Sequence, residues 1–254
     1  MLRVLLLTAA VAAGVAFAAA SPPPTSPEAV EARILAAAND FRADNRLPPL
    51  APNATLAAEA RSFAAYLART GSFSHTADGR DPGQRAQAAG YDYCDLAENL
   101  ADGSDDAGFD SDQLVRLFMS GWEASPGHRR NLLDPAAVET GVGVARAPGS
   151  LQKYVAVQEF GRPAALRFRF SIDNRSEQPV GYRFDGEHRV VPAHATMTHS
   201  TCATGELVFD RDVARDGRPY PVRPDTTYVV TGAEGGTRIE IEGRPRASGR
   251  VREP

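Results

Sequence analysis

The sequence predicts an α+β chain in which a helical first part closes on an antiparallel pair of strands and a small all-β part follows. Three observations predict it. Apolar residues recur at helical spacing through about residue 122, and the period falls to two after residue 140. From residue 163 onward short alternating strands follow one another between Gly-, Asp- and Pro-rich turns.

The chain opens with Met1-Leu2-Arg3, an uncharged run from Val4 to Ala19, and Ala18-Ala19-Ala20 before Ser21. One arginine, an apolar stretch and a small-residue cleavage site read as a secretory signal peptide over residues 1–20. The apolar run is short and Ala-rich for a membrane span of about 20 residues. The mature protein is therefore expected to be secreted or periplasmic, with no membrane span. Residues 21–28, with three consecutive prolines, form a short leader.

The first helix starts at Ser26-Pro27-Glu28, where Pro at the first position and an acid in the first turn favour initiation. Val30, Ile34, Ala37 and Phe41 carry it to about Asn45. A second helix begins near Thr55, presents Leu56, Ala60, Phe63 and Leu67 on one face, and stops at Thr70-Gly71. Pro82 to Ala89 is a short helix ended by Gly90. Asp110 to Trp122 is another, with Leu114, Leu117, Phe118 and Met119 as its apolar face. Gly141-Val142-Gly143-Val144-Ala145 and Tyr154 to Phe160, joined through Pro148-Gly149-Ser150, read as the antiparallel pair. The first domain is placed at residues 29–162.

Beyond it, Leu166, Phe168, Phe170 and Ile172 alternate with polar residues, and strands are expected at Tyr182 to Phe184, Val190-Val191, Leu207 to Phe209, Tyr228 to Val230 and Ile239 to Ile241. This spacing predicts a β-sandwich-like domain over residues 163–243. Residues 244–254 lack apolar periodicity and read as a disordered tail.

A hydrophobic fraction of 43% and a net charge of -4 fit a soluble globular protein. Basic residues are interleaved with acidic ones, so no nucleic-acid partner is indicated. Export would let Cys94 and Cys202 form one disulfide between the two domains; the alternative is a pair of buried free thiols.

Chemistry concentrates at His75, Glu98 and His128, each in a Gly/Ser/Asn setting beside an apolar helix. Two imidazoles and a carboxylate would suit Zn2+ with water completing a tetrahedron. The alternative is that the histidines fix loops over the sheet while Glu98 accepts backbone N–H groups. Tyr91 and Tyr93 are candidates for lining the cleft, as is Ser125, and Asn99 is expected to bond the backbone next to Glu98. No Gly-x-Ser-x-Gly pattern accompanies Ser74 or Ser125, which argues against a serine hydrolase. Asp102, Asp105, Asp106, Asp110 and Asp112 are read as a solvated lid at the cleft edge, and Trp122 as a core anchor.

From about Ile34 to Gly161 these pieces, in this order, resemble the bacterial branch of the CAP superfamily, also called the SCP domain. The resemblance rests on Asn39 with Arg42, Leu47-Pro48-Pro49-Leu50, Phe73-Ser74-His75 and Gly90-Tyr91. It continues through Ala97-Glu98-Asn99-Leu100, Trp122, Ser125-Pro126-Gly127-His128-Arg129-Arg130-Asn131-Leu132-Leu133, Gly141-Val142-Gly143-Val144 and Val157-Gln158-Glu159-Phe160-Gly161. It implies an α-β-α sandwich whose cleft carries two histidines, matched by His75 and His128, and two glutamates, the first matched by Glu98. The second glutamate of the fuller pattern follows the tryptophan by three positions, where this chain has Ser125.

Two functional classes follow. One is a secreted binding module taking a small extracellular lipid, glycan or peptide. The other is a metal-assisted hydrolase of extracellular peptide or cell-wall material, with Glu98 activating water held by His75 and His128. The appended β domain is expected to attach the protein to a surface partner. A disulfide at Cys94, four residues before Glu98, would let it brace one wall of the cleft.

Overall fold

Ser26 starts the first helix, α1 (Pro27–Asp44), by accepting the Ala29 N–H with its hydroxyl oxygen, and Pro27 occupies the first turn. The computed structural model describes residues 26–149, 152–202, 205–210, 213–214, 217–233 and 236–243. The expected signal peptide, the leader before Ser26, the tail and the turn residue Ser150 lie outside the described residues.

A two-residue strand, β1 (Ala51–Pro52), leads into α2 (Ala54–Thr70), which Asn53 caps by accepting the N–H groups of Thr55 and Leu56. Gly71 ends it in the left-handed region at φ 71°. Capping boxes begin α3 (Pro82–Ala88), from Asp81 and Gln84, and α4 (Ser111–Ala124), from Asp110 and Gln113. A further short helix, α5 (Pro126–Leu132), was not expected from periodicity.

Three longer strands complete the domain: β2 (Tyr93–Asp105), β3 (Glu139–Arg146) and β4 (Gln152–Pro163). They form one sheet in the order β1-β3-β4-β2, with β1 parallel to β3 and the other neighbours antiparallel. The expected pair of strands is thus its centre. The lid reading of the acidic stretch is corrected: Asp102 and Asp105 are strand residues registered with Val155 and Gln152, and Asp102 pairs with Lys153 at 2.8 Å. Pairing with β4 along nearly the whole length of β2 overrides its weak local strand signal.

Alternation along β4 assigns its faces. Val155 and Val157 join Leu100 and the α2 residues Ala60, Phe63, Ala64 and Leu67, whereas Tyr154, Ala156 and Phe160 join the core of α1 and α4 around Ile34, Phe118 and Trp122. The result is an α-β-α sandwich. Helix α2 lies so close to β3 that a Cβ on Gly141 or Gly143 would stand 2.2 Å from helix backbone atoms. On the other face, Arg42 is 1% exposed and donates to the carbonyls of Pro48, Leu132 and Asp134 at 2.9, 2.8 and 2.9 Å. One side chain therefore ties α1 to the loops on either side of it.

The second part contains β5 (Phe168–Asn174), β6 (Val180–Phe184), β7 (Glu187–Val191), β8 (Ala195–Thr201), β9 (Glu206–Phe209), β10 (Tyr220–Pro221), β11 (Thr226–Ala233) and β12 (Gly236–Glu242). They form two four-stranded sheets, β10-β9-β6-β7 and β12-β11-β5-β8, which share a core of Phe170, Tyr182, Phe184, Phe209 and Tyr228. Strands β8 and β10 go beyond those the alternation predicts. Cys94 near the start of β2 is disulfide-bonded to Cys202 just after β8, the Cα atoms 5.5 Å apart.

Candidate functional site

His75 sits in the turn four residues beyond Gly71, its side chain half exposed, and its Nδ1 lies 2.7 Å from Glu98 Oε1. Glu98 rises from the α2-facing side of β2 and its side chain is 1% exposed. A carboxylate can only accept, so Nδ1 of His75 carries the hydrogen and Nε2 is the ring's remaining acceptor in the neutral form.

The other oxygen of Glu98 receives Arg85 Nη2 from α3. Arg85 is itself 3% exposed. Its Nε donates to Glu59 Oε1 of α2 at 2.9 Å and its Nη1 to the carbonyls of His75 and Arg80 at 2.8 and 3.0 Å. The guanidinium also lies 3.5 Å from the centroid of the Phe63 ring. One arginine therefore fixes both the carboxylate that holds the His75 ring and the backbone that carries it. A cavity of about 530 Å³ borders this group between α2 and α3, lined by Glu59, Phe63, Tyr66, Asp78, Arg80 and Arg85.

His128 lies on α5, partly buried. Burial first, and then proximity to His75, push its imidazole below the usual histidine range. Asn99, fully buried, donates to the His128 carbonyl at 3.1 Å and accepts from Asn131 Nδ2 at 2.9 Å. The backbone bond expected of Asn99 beside Glu98 is made instead by Asn131, which reaches the Glu98 carbonyl at 3.3 Å. This asparagine pair fastens α5 to β2.

The other sequence candidates fall elsewhere. Tyr91 is buried with Leu56 and Ala86 and gives its hydroxyl to Glu139 at 2.8 Å, while Tyr93 packs beside that cluster with its hydroxyl against Gly83. Ser125 is the hinge between α4 and α5, its backbone ending one helix and starting the next. Trp122 is 1% exposed and donates to the Leu100 carbonyl at 2.9 Å, as a core anchor does.

Zinc fits this arrangement poorly. Glu98 gives one oxygen to His75 and the other to a guanidinium whose positive charge opposes a second cation. Among the described residues no three His, Cys, Asp or Glu side chains are grouped so as to hold a metal ion.

Arg85, Glu59 and Glu159 were not anticipated. Glu159 stands opposite Glu98 in the β2–β4 register and is 0% exposed. Glu59 and Glu159 are ionisable residues at positions whose periodicity marks them as interior: Glu59 among Leu56, Ala60 and Phe63, and Glu159 two residues after Val157. That conflict between charge and pattern was the available signal.

The sequence profile of the CAP family, the cysteine-rich secretory protein family, matches residues 35–160. Among solved structures, an outer surface protein from Borrelia burgdorferi is 20% identical with a TM-score of 0.47, the match covering 54% of this chain and 96% of that one. An extracellular protein containing a SCP domain from Bacillus anthracis is 25% identical with a TM-score of 0.44, covering 56% of this chain and 45% of that one. A cysteine-rich secretory protein from Staphylococcus aureus is 23% identical with a TM-score of 0.41, covering 55% and 40%. This chain thus matches less than half the length of the latter two proteins. No curated protein matches it in sequence.

Proposed function

Because residues 35–160 of this chain belong to the CAP family, we propose that it is an exported binding protein whose His75, Glu98 and His128 cleft receives a small extracellular ligand, a lipid, glycan or peptide. The observation that carries this reading is the double engagement of Glu98 by His75 and Arg85. A general base must point an oxygen at its substrate's proton, and each Glu98 oxygen is instead turned on a fixed partner inside the protein, His75 or Arg85. The metal-assisted hydrolase left open by the sequence requires Glu98 as ligand or base, and that side chain is committed to another purpose.

The same engagement suits recognition. His75, with Nδ1–H given to Glu98, offers Nε2 as an acceptor on a ring that its partners orient, and His128 adds a second, neutral imidazole. The ligand that fits presents O–H or N–H donors, as a sugar, a peptide or a lipid headgroup does. The work is placed outside the cytoplasm by the family, by the expected signal peptide and by the Cys94–Cys202 bond. No described helix is long and apolar enough to cross a membrane. The second domain is a brace and an attachment to a surface partner: its bond to Cys94 fixes the strand that carries Glu98, and Ala164 donates to the Asp92 carbonyl beside it at 3.0 Å.

The test is a titration of the protein with N-acetylglucosamine oligomers, phospholipid micelles and short peptides, read by the ring nitrogen shifts of the labelled histidines. One class should bind and move both rings, and a His75→Ala, His128→Ala double variant should bind it at least about tenfold more weakly, a loss of about 1.4 kcal/mol. Equal binding by the variant sinks the reading. Turnover of a probe, abolished in that variant, would replace it with an enzyme.

A further inference from the structure

Beneath Glu98 the protein buries more carboxyl oxygens than it has donors for. Glu159 from β4, Glu98 from β2 and Glu59 from α2 converge on Arg85 from α3. The guanidinium serves Glu59, Glu98, Asp78 and the carbonyls of His75 and Arg80, and makes no bond to Glu159. Both Glu159 oxygens and Oε2 of Glu59 are buried and without a donor. On the β3 side Glu159 is registered with Gly141, which brings no charge, and the further titratable neighbours of the group are His75 beyond Glu98 and, beyond Arg85, Asp78 with its partner Arg80.

With Asp78 compensated by Arg80 at 2.7 Å, the three ionised glutamates around the Arg85 guanidinium would leave two uncompensated negative charges in a site from which water is nearly excluded. One proton removes a charge and also supplies the missing donor. We propose that Glu159 is held as a neutral carboxylic acid whose single O–H is given to Glu98, making it the positioning residue that keeps Glu98 turned on Arg85 and His75. Burial and the adjoining charges of Glu98 and Glu59 push its carboxyl well above the usual range, in the direction this geometry requires. Nothing on Glu159 reaches the cleft. It acts through Glu98, and through Glu98 on the tautomer of His75.

The protonation of Glu159 stands independently of the ligand reading; only the consequence for His75 rests on it. A carboxyl that is neutral in the fold and ionised in the unfolded chain weakens the fold as pH rises. Its contribution is complete below about pH 4.3, the unfolded glutamate value, and is progressively lost as pH climbs toward the raised value in the fold.

The experiment is infrared spectroscopy at pH 7 on the full protein with ¹³C-carboxyl glutamate, beside Glu159→Gln. The wild type should show the C=O stretch of a protonated carboxyl, shifted by the label and absent from Glu159→Gln. That variant, which resembles the neutral acid in shape, should keep the low-field His75 Nδ1–H resonance and gain in thermal midpoint over the wild type as pH rises from 5 to 9. Absence of the band from the wild type, or a midpoint difference that does not change with pH, overturns the proposal and puts an ionised, water-paired Glu159 in its place. If Glu159→Gln does not fold, Glu159→Asp replaces it: its carboxyl carries no glutamate label, so the label-shifted band should be lost, and its persistence overturns the proposal. Failure of the ligand titration leaves this result untouched, and the reverse also holds.

Discussion

The two domains each bury a histidine-linked polar cluster, and the clusters are finished to different degrees. In the β domain His199 is 7% exposed and stacks on Phe170 with ring centroids 4.8 Å apart. Arg189 donates to its Nδ1 at 2.9 Å, so its Nε2–H donates to the Tyr182 oxygen at 2.6 Å, and the Tyr182 hydroxyl hydrogen points to Met197 Sδ at 2.9 Å. Both ring nitrogens and the phenol are satisfied under an aromatic roof. In the first domain the cluster around Arg85 leaves three carboxyl oxygens without donors and ends at a half-exposed His75. A closed cluster of this kind specifies a core. An unfinished one that reaches the surface is where a binding site is built.

Removing the guanidinium tests that contrast with the largest effect. Arg85→Met strips the donor from Glu59 and Glu98 together and leaves their charges uncompensated, for which a broken buried pair costs about 3–5 kcal/mol. Denaturant unfolding at pH 7, followed by the fluorescence of Trp122, the chain's one tryptophan, measures it. A loss below about 1 kcal/mol would mean that the glutamates are already neutral and that the cluster does not depend on Arg85.

How much of this the sequence makes legible follows the same division. Periodicity located α1 to α4 and the β3–β4 pair because each buries a regular stripe against the next layer. Strand β2 escaped because Asp102, Gly103, Ser104 and Asp105 lack β-branched side chains and are held by pairing with β4. At the site, His75, Glu98 and His128 stood out in short polar motifs. Arg85 did not, because its importance lies in which acids it meets, and Glu59 and Glu98 are 26 and 13 residues away from it. The second domain was legible as alternation, but β8, with Thr196, Thr198 and Ser200 facing outward, carried too few apolar residues to be recognised.

Tyr182→Phe breaks the closed cluster by the smallest change available. It removes the acceptor of His199 Nε2–H and leaves that donor buried, a cost of about 1–3 kcal/mol. Amide hydrogen exchange in β5 and β8, which flank the ring, should quicken accordingly, with no change in α2 or β4. Unchanged exchange would show that His199 finds another acceptor and that the aromatic packing alone holds the ring.

The smallest effect separates the two clusters by sign. His199 is pushed below the usual histidine range, first by burial and then by Arg189, so the unfolded chain takes up the proton more readily than the fold. The β domain therefore loses stability as pH falls below about 6.5, the unfolded histidine value, toward the lowered value in the fold. Glu159, held protonated, gives the first domain the opposite slope above about pH 4.3. Neither slope exceeds about 1.4 kcal/mol per pH unit, the limit for one proton. Between pH 5 and 7 the domain reported by Trp122 should unfold more easily as pH rises, while the protection of β5 and β8 amides, taken relative to their base-catalysed intrinsic exchange, should increase. Parallel trends would mean that the Cys94–Cys202 bond couples the domains into one unfolding unit. With that bond removed by a Cys94→Ser, Cys202→Ser variant, the two slopes should then part.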